Sequence, residues 1–176
     1  MYPILETERL LLREIVKEDA QGIFNCFSNK DVTRYYGQDP LTSIEQAEQF
    51  VAFFAKNYNE KRGIRWGIEL KGYPGIIGTI GFNAWMTKHK RAEIGYELHP
   101  EYWQKGYAAE AVSEVISYGF KELDLTRIGA VVFIENVASN EMLTKLGFEK
   151  EGVLRNYMYQ NGVPYDTNVY SLLNSI

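Results

Sequence analysis

The chain has 176 residues, 45% hydrophobic and 24% charged, with a formal net charge of −4 at pH 7. This is an ordinary composition for a water-soluble globular domain with a substantial core, and it reads as one domain over residues 1–176. It excludes a membrane span, which needs about 20 consecutive apolar residues, and speaks against a dedicated nucleic-acid binder, which carries a basic stripe.

The lone cysteine, Cys26, allows no intrachain disulfide, and its helix-like setting in DAQGIFNCFSN predicts a buried structural thiol. With no signal-peptide core in MYPILETERLLLRE, the expected location is cytoplasmic.

In chain order, Arg9 to Ile15 reads as a strand and Asp19 to Ser28 as a short helix. TSIEQAEQFVAFFAKNY opens with overlapping capping-box pairs, Thr42 with Glu45 and Ser43 with Gln46, and carries an apolar stripe from Ile44 to Tyr58. Two strands follow, Ile64 to Leu70 and Gly75 to Met86, separated by the turn KGYPG. A third runs from Ala92 to Leu98, with Glu93, Gly95 and Glu97 on one face and Ile94, Tyr96 and Leu98 on the other.

Pro100 ends that strand, and a helix begins within or after WQKGYA, carrying Ala108, Val112, Val115 and Gly119 at helical steps. IGAVVFI is a nearly continuous apolar run, as in a strand covered on both faces. It leads into a short helix with Asn136 as N-cap and Gly147 as its stop. Asn161-Gly162 then joins two final strands as a hairpin.

The resulting order, β-α-α-β-β-β-α-β-α-β-β, predicts an α/β (α+β) fold. A mixed, mostly antiparallel sheet has helices on both faces and one parallel step between residues 92 and 134.

The chemistry centres on WQKGYA. Neither G-x-G-x-x-G nor G-x-x-x-x-G-K-[ST] is present, so dinucleotide and P-loop readings lack support. A Lys-Gly loop before a helix can grip a phosphate through unpaired backbone amides, or can simply be a compact turn. His89, His99 and Cys26 do not have metal-ligand spacing, so no metal is expected.

Four stretches carry a resemblance. Trp103, Gly106, Ala108, Glu110 and Ala111 form W-x-x-G-x-A-x-E-A; T-E-R-L-x-L-R spans Thr7 to Arg13; A-E-I-G-Y-x-L spans Ala92 to Leu98; and N-x-x-S-x-x-x-L-x-K-L-G-F spans Asn136 to Phe148. In this order and spacing they resemble the GCN5-related N-acetyltransferases (GNAT), in particular the branch of ribosomal-protein alanine N-acetyltransferases. The broad family has Gln or Arg three residues before the first glycine; here Trp103 stands there and Gln104 follows.

The resemblance implies the GNAT fold and direct acetyl transfer from acetyl-CoA to a primary amine, without an acyl-enzyme. It implies that main-chain groups of Leu98 and His99 meet the pantetheine arm, and that Gln104, Lys105, Gly106, Tyr107, Ala108 and Ala109 surround the pyrophosphate. Asn136 would touch the pantetheine amides, and Ser139 would donate to the leaving sulfur.

It implies Glu93 as the base, directly or through water, with Glu97, on the same face but nearer the coenzyme arm, as the lesser candidate. A second glutamate proposed as the base in one branch member falls near Met158, which cannot take a proton. The acceptor pocket is expected around the Tyr35-Tyr36 region, Asn83, Trp85 and the C-terminal hairpin.

The acceptor implied first is a protein N-terminal α-amine. A small amine such as a polyamine, amino acid or antibiotic is the alternative, and a non-catalytic acyl-CoA-binding module is another. The protein is expected as a monomer or homodimer.

Overall fold

The structure is a computed structural model that describes residues 1–175. Its strands are β1 (Leu5–Glu6), β2 (Leu10–Glu14), β3 (Ile64–Leu70), β4 (Tyr73–Met86), β5 (Arg91–Leu98), β6 (Arg127–Phe133), β7 (Glu149–Gln160) and β8 (Val163–Leu173). Its helices are α1 (Ala20–Phe27), α2 (Lys30–Thr33), α3 (Ile44–Asn59), α4 (Tyr107–Lys121) and α5 (Val137–Lys145). The strands form one sheet in the order β1-β2-β3-β4-β5-β6-β8-β7, antiparallel at every step except β5 to β6.

The expected α/β class and mixed, mostly antiparallel sheet match this architecture. Two small elements add to the expected order: the two-residue β1 and the single-turn α2. Both are too short to carry a periodic signal. Among the described residues, no helix is long and apolar enough to cross a membrane.

Local signals act where the sequence carries them. Ser43 caps α3 by accepting from the Gln46 amide at 3.4 Å, while the Gln46 side chain accepts from the Thr42 amide at 2.7 Å. Asn136 caps α5 by accepting from the Ser139 amide, and Gly147, at φ 95°, follows its end.

Two cores result, one on each side of the sheet. The larger joins Trp66, Ile80, Phe82, Ile94 and Ile128 to Ala111, Val112 and Val115 of α4 and Leu143 of α5. There α4 lies close: a Cβ on Gly119 would stand 2.7 Å from the Phe82 ring, so only glycine fits. The smaller core gathers Ile15 and Ile76 with Ile23, Cys26 and Phe27 of α1 and Ala47 and Val51 of α3. Cys26 is buried there, as its spacing predicts, and burial pushes its thiol up to about 12.

Register sorts the middle of the sheet by face. Arg65, Gly81 and Gly95 align across β3, β4 and β5, and Gly67, Thr79 and Glu97 align one step on. Their side chains share the α1/α3 face of the sheet, opposite the apolar row of Trp66, Ile80 and Ile94.

Candidate active site

β5 and β6 pair only at Arg91↔Arg127, Ala92↔Ile128 and Glu93↔Gly129, although both strands run several residues further. Beyond Glu93 they part, and a wedge opens in the sheet. A cleft of about 720 Å³ occupies it, walled by Tyr96, Glu97 and Leu98 on one side and Asn136, Ser139 and Met142 on the other. Tyr35 and Tyr36, just after α2, close one end. Gln104, Gly106, Tyr107, Ala108 and Ala109 at the start of α4 line the other.

β5 presents free main-chain groups to this wedge. The amide of His99 donates to Ile77 O at 2.8 Å, so residues of odd number on β5 bond to β4. By antiparallel alternation, Tyr96 and Leu98 turn their N–H and C=O groups the other way, toward the cleft. The Leu98 carbonyl accepts from Trp103 Nε1 at 2.7 Å, which leaves the Leu98 N–H open. Of the main-chain groups expected at the pantetheine arm, the His99 N–H thus donates to β4 and the Leu98 C=O accepts from Trp103. The His99 ring caps the following turn, its Nδ1 accepting from the Glu101 amide.

At the other end, Gly106 is the N-cap of α4 at φ 81°, with no side chain capping the helix. The first helical bond runs from the Glu110 amide to Gly106 O, so the amides of Tyr107, Ala108 and Ala109 have no helical partner. These three donors and the helix dipole face the cleft, a set that suits a phosphate. Lys105 lies outside the lining, its Nζ donating to Glu101 O at 3.0 Å.

Arg9, which no local signal in the sequence marks as part of a site, holds this loop. Its guanidinium donates to Lys105 O at 2.9 Å, pairs with Glu110 at 2.6 Å and lies 4.4 Å from the centre of the Tyr107 ring. Thr7 bonds the other Glu110 oxygen at 2.5 Å, and the carboxyl, despite some burial, is lowered by these bonds to Thr7 and Arg9. The T-E-R-L stretch thus braces the start of α4 across the sheet edge.

Ser139, in the first turn of α5, shares a hydrogen bond with the Tyr96 hydroxyl at the cleft wall. Burial raises the Tyr96 phenol to about 12 although the Ser139 bond opposes the shift.

The expected Glu93 does not line the cleft. It sits where β5 and β6 still pair, about 13 Å along the strand from Glu97 at roughly 3.3 Å per residue. Asn83 and Trp85 lie outside the lining as well. Asn83 pairs in register with Glu93 at the exposed end of β4, and Trp85 packs against the larger core. Both are drawn off by the same geometry, since that end of β4 runs alongside the closed end of the wedge.

Glu97 is the buried carboxylate of the cleft, where Asp31 and Glu141 are exposed. It is 6% exposed, its Oε2 accepts from Arg65 Nη2 at 2.5 Å, and its Oε1 has no hydrogen-bond partner. Arg65 makes three further bonds: Nε donates to Thr79 Oγ1, Nη1 to Gly95 O, and Nη2 also reaches the Tyr36 hydroxyl at 3.3 Å. Burial works against the Arg65 charge, but Glu97 outweighs it and keeps the guanidinium protonated. On the partner, burial outweighs both Arg65 and Tyr36 and pushes the Glu97 carboxyl up to about 7.

The sequence profile of the Acetyltransferase (GNAT) domain matches residues 9–149. YoaA of Bacillus subtilis (strain 168), described as an uncharacterized N-acetyltransferase, is 62% identical over 173 residues, covering 98% of each chain. The spermidine N(1)-acetyltransferase of Escherichia coli (strain K12) is 28% identical over 152 residues, 86% of this chain and 78% of that one. Among solved structures, the apo form of RimL, a ribosomal L7/L12 alpha-N-protein acetyltransferase, superposes with a TM-score of 0.89. It covers 99% of this chain and 96% of that one at 21% identity, a likeness of fold.

Proposed function

The chain belongs to the GNAT acetyltransferase family, and on that premise we propose that the amine it acetylates is the α-amine at a protein or peptide N-terminus. Acetyl-CoA, the family's donor, supplies the acetyl group as an activated thioester.

The observation that carries the reading is the wedge between β5 and β6, open from a helix N-terminus with free amides at one end to a buried carboxylate at the other. In this reading the amides of Tyr107, Ala108 and Ala109 hold the pyrophosphate, with Gln104 and Gly106 shaping the loop and Lys105 adding charge from its rim. Asn136 and the Leu98 N–H meet the pantetheine arm, and the open β5 amides steady the thioester oxygen as it gains charge. Ser139 donates a hydrogen bond to the departing sulfur, oriented by Tyr96. Tyr36 contacts the acceptor.

The choice of acceptor rests on charge. The cleft lining holds three acidic residues, Asp31, Glu97 and Glu141, against two basic ones, Arg34 and Lys145. One of the acids, Glu97, is already paired with Arg65. A polyamine with several charges needs a trough of carboxylates, whereas a single amine does not. An α-amine also loses its proton near pH 7.7–8.0, against about 10.4 for a lysine-type amine, so it asks less of a base. The alternative, a small amine, draws on the likeness to the spermidine enzyme.

Thiol release and mass spectrometry with a panel of amines test this. The panel holds peptides with free N-termini, the same peptides N-terminally blocked but carrying a lysine, spermidine and free amino acids. The free peptides are expected to turn over fastest. Faster turnover of spermidine or of blocked peptides would overturn the acceptor assignment.

A further inference from the structure

We infer that Tyr36 and Glu97 form a proton relay: the Tyr36 hydroxyl takes the proton of the acceptor amine at the cleft wall and passes its own to Glu97 Oε1. The inference rests on the acetyl-transfer reading of the cleft and deepens it.

Three observations carry it. First, Glu97 offers one open acceptor: Oε2 is satisfied by Arg65, while Oε1 is buried and has no donor. A buried carboxylate oxygen without a partner is costly, and a proton delivered to it removes the cost. Second, the Tyr36 oxygen already accepts from Arg65 Nη2 at 3.3 Å. Its own proton is thereby turned away from Arg65, and Glu97 Oε2 accepts from the same Arg65 Nη2 at 2.5 Å, so phenol and carboxylate flank one nitrogen. Third, Tyr36 and Glu97 both line the cleft beside Leu98. The other carboxylates of that wall, Asp31 and Glu141, are exposed and meet water directly.

The titratable and charged groups around Glu97 are Arg65 on β3, Tyr36 after α2 and Cys26 on α1. Arg65 stays charged, and burial holds the thiol and the phenol above their ordinary values. Tyr36 therefore passes a proton rather than storing one, and Glu97 is the group that titrates.

The step balances as follows. The bound ammonium gives one proton to the Tyr36 oxygen as the Tyr36 proton moves to Glu97 Oε1. The freed lone pair forms the C–N bond to the acetyl carbon, and the C–S bond breaks with its electron pair on sulfur. The nitrogen's surplus proton ends on that sulfur, and Glu97 returns its proton to solvent.

Tyr36→Phe, Glu97→Gln and the double variant, compared with wild type for kcat/KM against pH, test the relay. Each single variant is expected to lose about 100-fold, the usual scale of a general base, while acetyl-CoA binding stays intact. Both lose the fall in rate below about pH 7 that wild type shows, and the double variant is no slower than either single one. Losses within about threefold, an unchanged pH profile, or multiplying losses in the double variant would each overturn it.

The comparison is made on whichever amine wild type acetylates. A small-molecule acceptor would then sink the N-terminal assignment without deciding the relay. Carbon-13 NMR of labelled glutamate carboxyls reads the relay without turnover. One carboxyl is expected to titrate near pH 7 and to vanish in Glu97→Gln; its absence from wild type overturns the proposal.

Discussion

Glu97 illustrates how one residue's surroundings set its chemistry. Burial raises its carboxyl to about 7, against an ordinary value near 4.5, although Arg65 and Tyr36 both oppose the shift. The sign follows from linkage. Between these two values the folded chain binds a proton that the unfolded chain has released, so stability falls as pH rises through that window. Glu97's contribution is therefore fullest below about 4.5 and lost as pH passes about 7. Urea unfolding of wild type and Glu97→Gln at about pH 5 and about pH 8 checks this. The variant is expected to gain on wild type between the two, and an equal difference at both pH values would refute it.

At this scale part of the site was legible. Asn136 and the Gly106 loop stand out by capping and turn chemistry and Ser139 through the family resemblance, and all three line the cleft. An arginine inside the apolar strand IRWGIEL signals a buried cation that needs a carboxylate, but the partner is 32 residues away. Alternation puts Glu93 and Glu97 on the same face and cannot separate them. The parting of β5 from β6 after Glu93 does.

At the scale of elements, α4 and its preceding loop act together. Gly106 sits in the left-handed region at φ 81°, and a Cβ there would stand 3.3 Å from Arg9 Nη2. Gly106→Ala therefore strains the turn by about 1–2 kcal/mol and crowds the guanidinium that holds Lys105 O. Acetyl-CoA affinity is expected to fall about tenfold, about 1.4 kcal/mol by calorimetry. An unchanged Kd would show that the loop amides are not the phosphate ligands.

The long helices, α3 and α4, and the Asn161-Gly162 hairpin were readable because periodicity and turn chemistry act within a few residues. The brace from Thr7 and Arg9 to Glu110 was not, since it joins residues about a hundred positions apart.

Across the whole molecule, the C-terminal hairpin is stitched to the segment that carries Tyr36. Buried Gln160 accepts from the Gln38 amide at 3.0 Å and donates to the Gln38 carbonyl at 2.7 Å. Met158 packs its sulfur against Gly37, where a Cβ would stand 3.1 Å away. Gln160→Ala leaves the Gln38 groups unpaired and is expected to cost about 1–3 kcal/mol in urea unfolding. It should also raise KM for the amine while leaving acetyl-CoA affinity within about twofold. Equal losses for both substrates would show that the hairpin supports the whole cleft rather than its Tyr36 end.

The sequence by itself determined the longer strands and helices, their order, the one parallel step and the family, because these rest on short-range periodicity, capping and motif spacing. Only the tertiary structure decided which carboxylate meets the cleft and which main-chain groups stay free. It also drew Asn83 and Trp85 away and set Tyr36 beside a buried ion pair. Those outcomes depend on sheet register and on where two strands separate, and both are fixed by packing among residues far apart in the chain.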